Sequence, residues 1–135
     1  MENFDKFLKK MKLLSLSVCE NNTPYAFSAF YAYDEKSKFF AIASDSKTRH
    51  IQISIKNPKV SGTVALDTRI IGKIKGVQFN GILSPADETA KKIYFKKFPF
   101  ALAMKPEIFK IHIVWLKFTD NSIGFGRKFL WQRKN

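Results

Sequence analysis

Residues 45–64 read DSKTRHIQISIKNPKVSGTV and open on a cluster of cations, hydroxyls and an imidazole. Arg49 carries a planar fork that matches the paired oxygens of a phosphate, and Lys47 adds a mobile point charge. His50, only partly protonated near neutrality, suits a hydrogen-bond donor better than a counter-charge. Ser44, Ser46 and Thr48 bring hydroxyls, and Asp45, Ser46 and Thr48 are helix caps by type, so the N–H groups of a helix start would face the same anion. The other reading of this segment is a solvated helix face with ordinary surface charge.

Other chemistry is sparse, and no catalytic residue is assigned. No pair of acidic residues has a catalytic spacing, and no Gly-x-Ser-x-Gly elbow supports a hydrolytic nucleophile. His50 and His112 lie far apart in sequence, and Cys19 is the only cysteine, so neither a metal site nor a disulfide framework is expected. Cys19 reads as a small residue within a strand, His112 as sharing a strand face with Val114 and Leu116, and Trp115 and Trp131 as core or interface aromatics.

The anion-binding cluster needs elements to hold it. Phe4, Phe7, Leu8, Met11 and Leu14 recur at helical spacing among lysines and predict an amphipathic N-terminal helix. Strand patterns follow at Ser15–Glu20 and in YAFSAFYAY, joined by a turn at Asn21–Pro24, and again in FFAIA after Asp34–Lys38. The caps after Ser44 predict a helix of about ten residues ending near Asn57-Pro58. Val60–Asp67 and Val77–Leu83 read as strands around a basic loop, with Gly81 marking a bulge or a close approach of backbones. Pro85-Ala-Asp-Glu-Thr opens a helix that runs to Phe98, Ile108–Thr119 reads as a long strand, and Arg127–Gln132 closes the chain. Strands with two or three marginal helices predict an α+β domain built on a barrel.

Length and composition agree. A chain of 135 residues fits one domain, 1–135, and 45% hydrophobic residues with 14 Phe are enough to build a core. No apolar run approaches the roughly 20 residues of a membrane span, and MENFDKFLKKMK lacks a signal-peptide core, so a cytoplasmic protein with no membrane partner is expected. The formal charge of +13 makes polyanions candidate partners, but its lysines are scattered, which favours weak nonspecific nucleic-acid binding over a dedicated interface.

The order of an aromatic strand, Asp-Glu-Lys, an apolar strand, Ala-Ser-x-x-Lys-Thr-Arg-His, a helix, Asn-Pro-Lys-Val and Gly-x-Val resembles the FMN-binding split-barrel superfamily that includes pyridoxamine 5'-phosphate oxidase. More closely, TRH, VSGTV, GVQFNG, KKFP and KFTDNSIGFGRKFLW are similar to the functionally uncharacterised YhbP-like bacterial proteins of that superfamily. The resemblance covers nearly the whole chain. It implies an antiparallel, Greek-key split β-barrel with peripheral helices, and a homodimer that holds FMN in a cleft between subunits.

Carried over residue by residue, Thr48, Arg49 and His50 match the superfamily's phosphate-holding Ser-Arg-Lys segment, with Lys47 beside them. By the same resemblance Ser28, Ala29, Phe30 and Tyr31, with Ala43 and Ser44, line the isoalloxazine ring, and Gln78 contacts it from the partner subunit. Two features depart from the oxidase. Pro24–Tyr33 contains neither of the cations that bracket the corresponding strand, and the C-terminal Arg-x-His substrate motif is absent. Pyridoxamine 5'-phosphate oxidation is therefore not expected. The reading is an FMN-binding oxidoreductase of unassigned substrate, set against a noncatalytic binder of flavin, heme or another phosphorylated ligand.

Overall fold

The computed structural model describes residues 2–124 and 126–134; Phe125, in the GFG of the closing motif, lies outside them. The chain begins with α1 (Asn3–Lys10), whose first turn is fixed by Asp5 accepting a hydrogen bond from Glu2 N at 2.9 Å. Phe4, Phe7 and Leu8 form its buried stripe. Leu14, one period further on, belongs to the next strand, because the helix ends when Met11 turns extended.

In β1 (Leu13–Glu20) Leu14, Leu16 and Val18 alternate inward, while Ser15, Ser17 and Cys19 face out. Asn21 and Asn22, both at positive φ (52° and 61°), make the two-residue turn into β2 (Thr23–Asp34), a conformation that Asn tolerates. β3 (Phe39–Ser44) completes the meander. α2 (Arg49–Lys56) follows, capped by Thr48 and ended at Asn57, since Pro58 disfavours a helical residue before it. It is eight residues long, shorter than the spacing predicts, because the turn before it consumes Asp45–Thr48.

β4 (Lys59–Ala65), β5 (Lys75–Pro85) and β6 (Glu107–Asp120) then run antiparallel, and β7 (Lys128–Gln132) adds to β6. Pro85 ends β5, so α3 (Glu88–Lys97) starts at the Asp87 cap rather than at the proline. The strand order β3-β2-β1-β4-β5-β6, with a β3–β6 ladder from Phe39↔His112 to Ser44↔Glu107, closes a six-stranded α+β barrel. Its interior is filled by aromatics: Phe40 lies 4.9 Å from Tyr31 and 4.8 Å from Phe79, ring centre to ring centre.

α1 packs where Phe118 and Tyr33 stand, and α2 packs where Phe27 and the start of β6 stand, so the two helices cover opposite ends of the barrel. α3 lies outside, over Ala32, Phe39, Ala41 and Ile108.

Gly81 answers to both of its sequence readings. The β5–β6 register shifts there, Asn80 facing Trp115 but Gly81 facing Ile113, which leaves Val114 as the extra residue of a bulge. A Cβ on Gly81 would stand 2.8 Å from Ile111 Cγ2 and 2.9 Å from His112 O. The bulge reverses the side-chain parity of β6, so Leu116 is buried while His112 and Val114 face outward. The shared strand face expected for these three residues is thus not present.

Candidate functional site

β2 serves two ladders in succession. Thr23–Phe30 pair with β1, whereas only Tyr31–Asp34 pair with β3. Past the Tyr31↔Ile42 pair the strands part, and the barrel wall is split there. Tyr31 N donates to Lys12 O at 2.9 Å, which sets the phase of the β1 ladder: odd-numbered residues of β2 bond to β1, and Ala26, Ser28 and Phe30 turn their N–H and C=O groups to the open edge. Among the described residues these groups have no strand partner.

The start of α2 spans the split at one end. His50 lies flat against Phe27 of β2, ring centres 3.6 Å apart and planes 13° apart, and its Nε2 shares a 2.7 Å hydrogen bond with Ser44 Oγ at the end of β3. Burial lowers the imidazole pKa below its usual 6.5, so His50 is neutral at pH 7. It links the two strands instead of supplying charge.

Beside it, the Arg49 guanidinium stacks over Tyr25 at 5.0 Å from the ring centre. Among the described residues it makes no ion pair and remains exposed.

The hydroxyls of this corner are already committed. Ser46 donates from Oγ to Glu107 Oε1 at 3.0 Å and from N to Oε2 at 2.6 Å. Thr48 Oγ1 donates to Asp45 O at 2.7 Å, and Asp45 Oδ1 accepts from Lys47 N at 2.8 Å. What stays free for an anion is the fork of Arg49, the exposed ammonium of Lys47, and the first-turn N–H groups of Arg49 and His50. Two cations here face two carboxylates, Asp45 and Glu107, so the corner is close to neutral before any ligand arrives.

The structure therefore gathers Lys47, Thr48, Arg49, His50 and Ser44 at one corner, and Ser28 and Phe30 on the open edge next to it. Tyr31 is elsewhere: fully buried, its hydroxyl donates to Leu8 O at 2.6 Å inside the barrel. Ala29 also faces inward, beside Leu14, and Ala43 packs under α3.

Ser28, Ser15, Thr63 and Gln78 form one outward-facing row across β2, β1, β4 and β5, which puts Gln78 three strands from Ser28, roughly 14 Å at ordinary strand spacing. Glu107, Tyr25 and Phe27 escaped the sequence reading; only the alternation of aromatics in YAFSAFYAY pointed to the last two. No group of three or more His, Cys, Asp or Glu among the described residues could hold a metal ion.

No family model matches the chain. A UPF0306 protein of Campylobacter jejuni is 37% identical over 134 residues, covering 98% of this chain and 98% of the relative. Among solved structures, a FAD-binding protein from Mesorhizobium loti superposes with a TM-score of 0.71 at 17% identity, over 87% of this chain and 94% of that one. HutZ, the heme storage protein of Vibrio cholerae, superposes with a TM-score of 0.62 at 14% identity, over 96% and 91%. These neighbours share the split-barrel fold.

Proposed function

The chain belongs to the UPF0306 family, and we propose that it is a flavin-binding protein that takes FMN into the split between β2 and β3 and uses it for oxidoreductase chemistry. The observation that carries this reading is the open edge of β2 beside the start of α2, where Arg49 and Lys47 stay exposed and His50 joins the two strands. The alternating N–H and C=O groups of Ser28 and Phe30 match the donors and acceptors on the imide edge of an isoalloxazine, and Arg49 with Lys47 matches its phosphate.

FMN supplies hydride or single-electron transfer when bound; the chain's own groups bind, orient and exclude water. The FAD-binding neighbour supports a flavin and the heme storage neighbour supports a larger planar ligand in this fold.

A second copy of the chain completes the proposed cleft. Phe30 is 57% exposed beside the open edge, and Phe100 and Met104, after α3, are 92% and 81% exposed, more apolar surface than a lone barrel would leave to water. Gln78 reaches the ligand only from that second copy. Light scattering should find a dimer, and monomer alone at micromolar concentration would remove this part of the reading.

The test of the ligand is the visible spectrum of the purified protein, followed by titration with FMN and with heme. Saturable quenching of FMN fluorescence is expected. A protein that binds heme tightly and leaves FMN fluorescence unchanged would transfer the assignment to heme, and one that binds neither would end it.

A further inference from the structure

The end of the barrel opposite the β2–β3 split presents a second surface, and it has a different chemistry. Between β4 and β5 the chain makes a short 3-10 turn at Ile71–Lys73, which exposes Ile70 (54%), Ile71 (64%) and Ile74 (41%). Ile71 O accepts from Asn121 Nδ2 at 3.2 Å and Ile74 O accepts from Asn121 N at 2.9 Å, so the backbone is tied to the turn after β6 while the side chains point to water. Ile123, on that turn, is 53% exposed as well.

Next to this tip a groove of about 420 Å³ runs between α1 and the end of β6, floored by Phe7, Met11, Leu66 and Phe118. Lys6, Lys10 and Lys75 stand on its rim. A second groove of about 440 Å³ continues from Lys10 and Met11 past Lys12 and Leu13. Asp120 is the one carboxylate lining the first groove; it is buried, and its Oδ1 is taken up by Ser122, accepting from N at 2.9 Å and from Oγ at 2.6 Å. Asp67 is the one carboxylate lining the second groove.

The result is an apolar tip and groove ringed by ammonium groups. A second copy of this chain is a poor occupant, because a two-fold contact would set the same lysines against each other.

We propose that this end of the barrel docks on the surface of an anionic phospholipid bilayer, with Ile70 and Ile71 entering the boundary between headgroups and acyl chains and the lysines meeting lipid phosphates. Apolar side chains that enter only this boundary, together with basic residues within reach of the headgroups, are the two components of reversible interfacial binding. No helix of the described residues is long and apolar enough to cross a membrane, and none is needed for this mode. Docked in this way, the barrel holds the β2–β3 split on its far side, so the surface works independently of the flavin reading. It also gives part of the +13 charge a use that scattered lysines do not otherwise have.

The experiment is cosedimentation of the full chain with vesicles of phosphatidylcholine containing about 30% phosphatidylglycerol, against pure phosphatidylcholine, at about 0.1 M salt. Binding to the anionic vesicles only is expected. Ile70→Ser with Ile71→Ser, and separately Lys10→Gln with Lys73→Gln, should each weaken it by about tenfold or more. Lys91→Gln with Lys92→Gln on α3 makes the same charge change elsewhere and should leave it nearly unaltered.

Thermal melts and FMN titration of each variant confirm that barrel and split are intact. No binding to anionic vesicles would overturn the proposal, as would equal loss in the α3 variant, which would mark general charge adhesion. Dissociation of a wild-type dimer by Ile70→Ser with Ile71→Ser, without vesicle binding, would assign the surface to a second copy instead.

Discussion

His50 lies flat on Phe27 at 3.6 Å between ring centres while its Nε2 holds Ser44 Oγ at 2.7 Å, so one imidazole joins β2 to β3 just where their ladder stops. A stacked pair contributes about 0.5–1.5 kcal/mol and a neutral hydrogen bond about as much. His50→Ala should therefore destabilise the fold by about 1–3 kcal/mol, and His50→Phe, which keeps the stack, by about half of that, both read from urea denaturation.

The same residue sets a pH dependence. Its pKa is lowered in the folded state, so the unfolded chain binds more protons there than the native one, and stability must fall as pH drops through the ordinary histidine value of 6.5. Above that value His50 is neutral in both states and contributes no slope. Denaturation of wild type and His50→Phe across this window should show the wild type losing ground toward acid; parallel curves would mean that the imidazole is not buried.

Arg49 and Lys47 carry the positive charge left free at the split, and of the two only Arg49 offers a planar fork. Losing its charge-assisted contact with a phosphate costs about 1.5–3 kcal/mol, which makes Arg49→Ala roughly tenfold to a hundredfold weaker for FMN. Lys at this position should restore only part, since it keeps the charge and loses the fork. Riboflavin has no phosphate and should bind wild type and variant alike. Equal FMN affinity in the two proteins would make Arg49 an ordinary surface residue stacked on Tyr25.

Gly62 of β4 pairs with Leu16 of β1 and faces the core. A Cβ there would lie 2.4 Å from Ser15 O and 2.5 Å from the tip of the buried Phe79 ring, so backbone and core side chain would both have to move. Gly62→Ala should cost about 3 kcal/mol or more by thermal or chemical denaturation. Gly72→Ala, whose Cβ would meet nothing within 4 Å, should change stability by less than about 1 kcal/mol.

Lys97 is the half-buried cation of α3: its Nζ donates to Met11 O at 2.6 Å and lies 4.7 Å from the centre of the Tyr31 ring. Burial first, and repulsion from Lys12 second, lower its pKa from 10.5 to about 8. Between those two values the unfolded chain holds a proton that the native one has released, so stability contributed at this site rises with pH across that window and is level below it. Relative to Lys97→Met, the wild type should gain stability from about pH 8 to 10; a constant difference would show that the amine stays protonated.

Much of this was legible from residue order alone. LSLSV and FFAIA alternate or run apolar as strands must, Asn21-Asn22 carries the turn chemistry of a tight hairpin, and Thr48 caps a helix, because each of these is set by neighbours within a few positions. The cluster at 44–50 was legible for the same reason: a strand end, a cap and the first helical turn adjoin in sequence as well as in space.

What only the tertiary structure decided is where those groups spend their hydrogen bonds and which edges stay open. Glu107 takes both donors of Ser46 from 61 residues away, Phe27 supports His50 from another strand, and Tyr31 turns into the barrel because the phase of the β1 ladder sends odd-numbered residues of β2 inward. One inserted residue at Val114 reverses the faces of β6, a change that no local periodicity announces, since it arises from pairing with β5. Local chemistry is thus written in the order of the chain. The split between β2 and β3, and the lysine-ringed end opposite it, exist only once the ladder between β3 and β6 has closed the barrel.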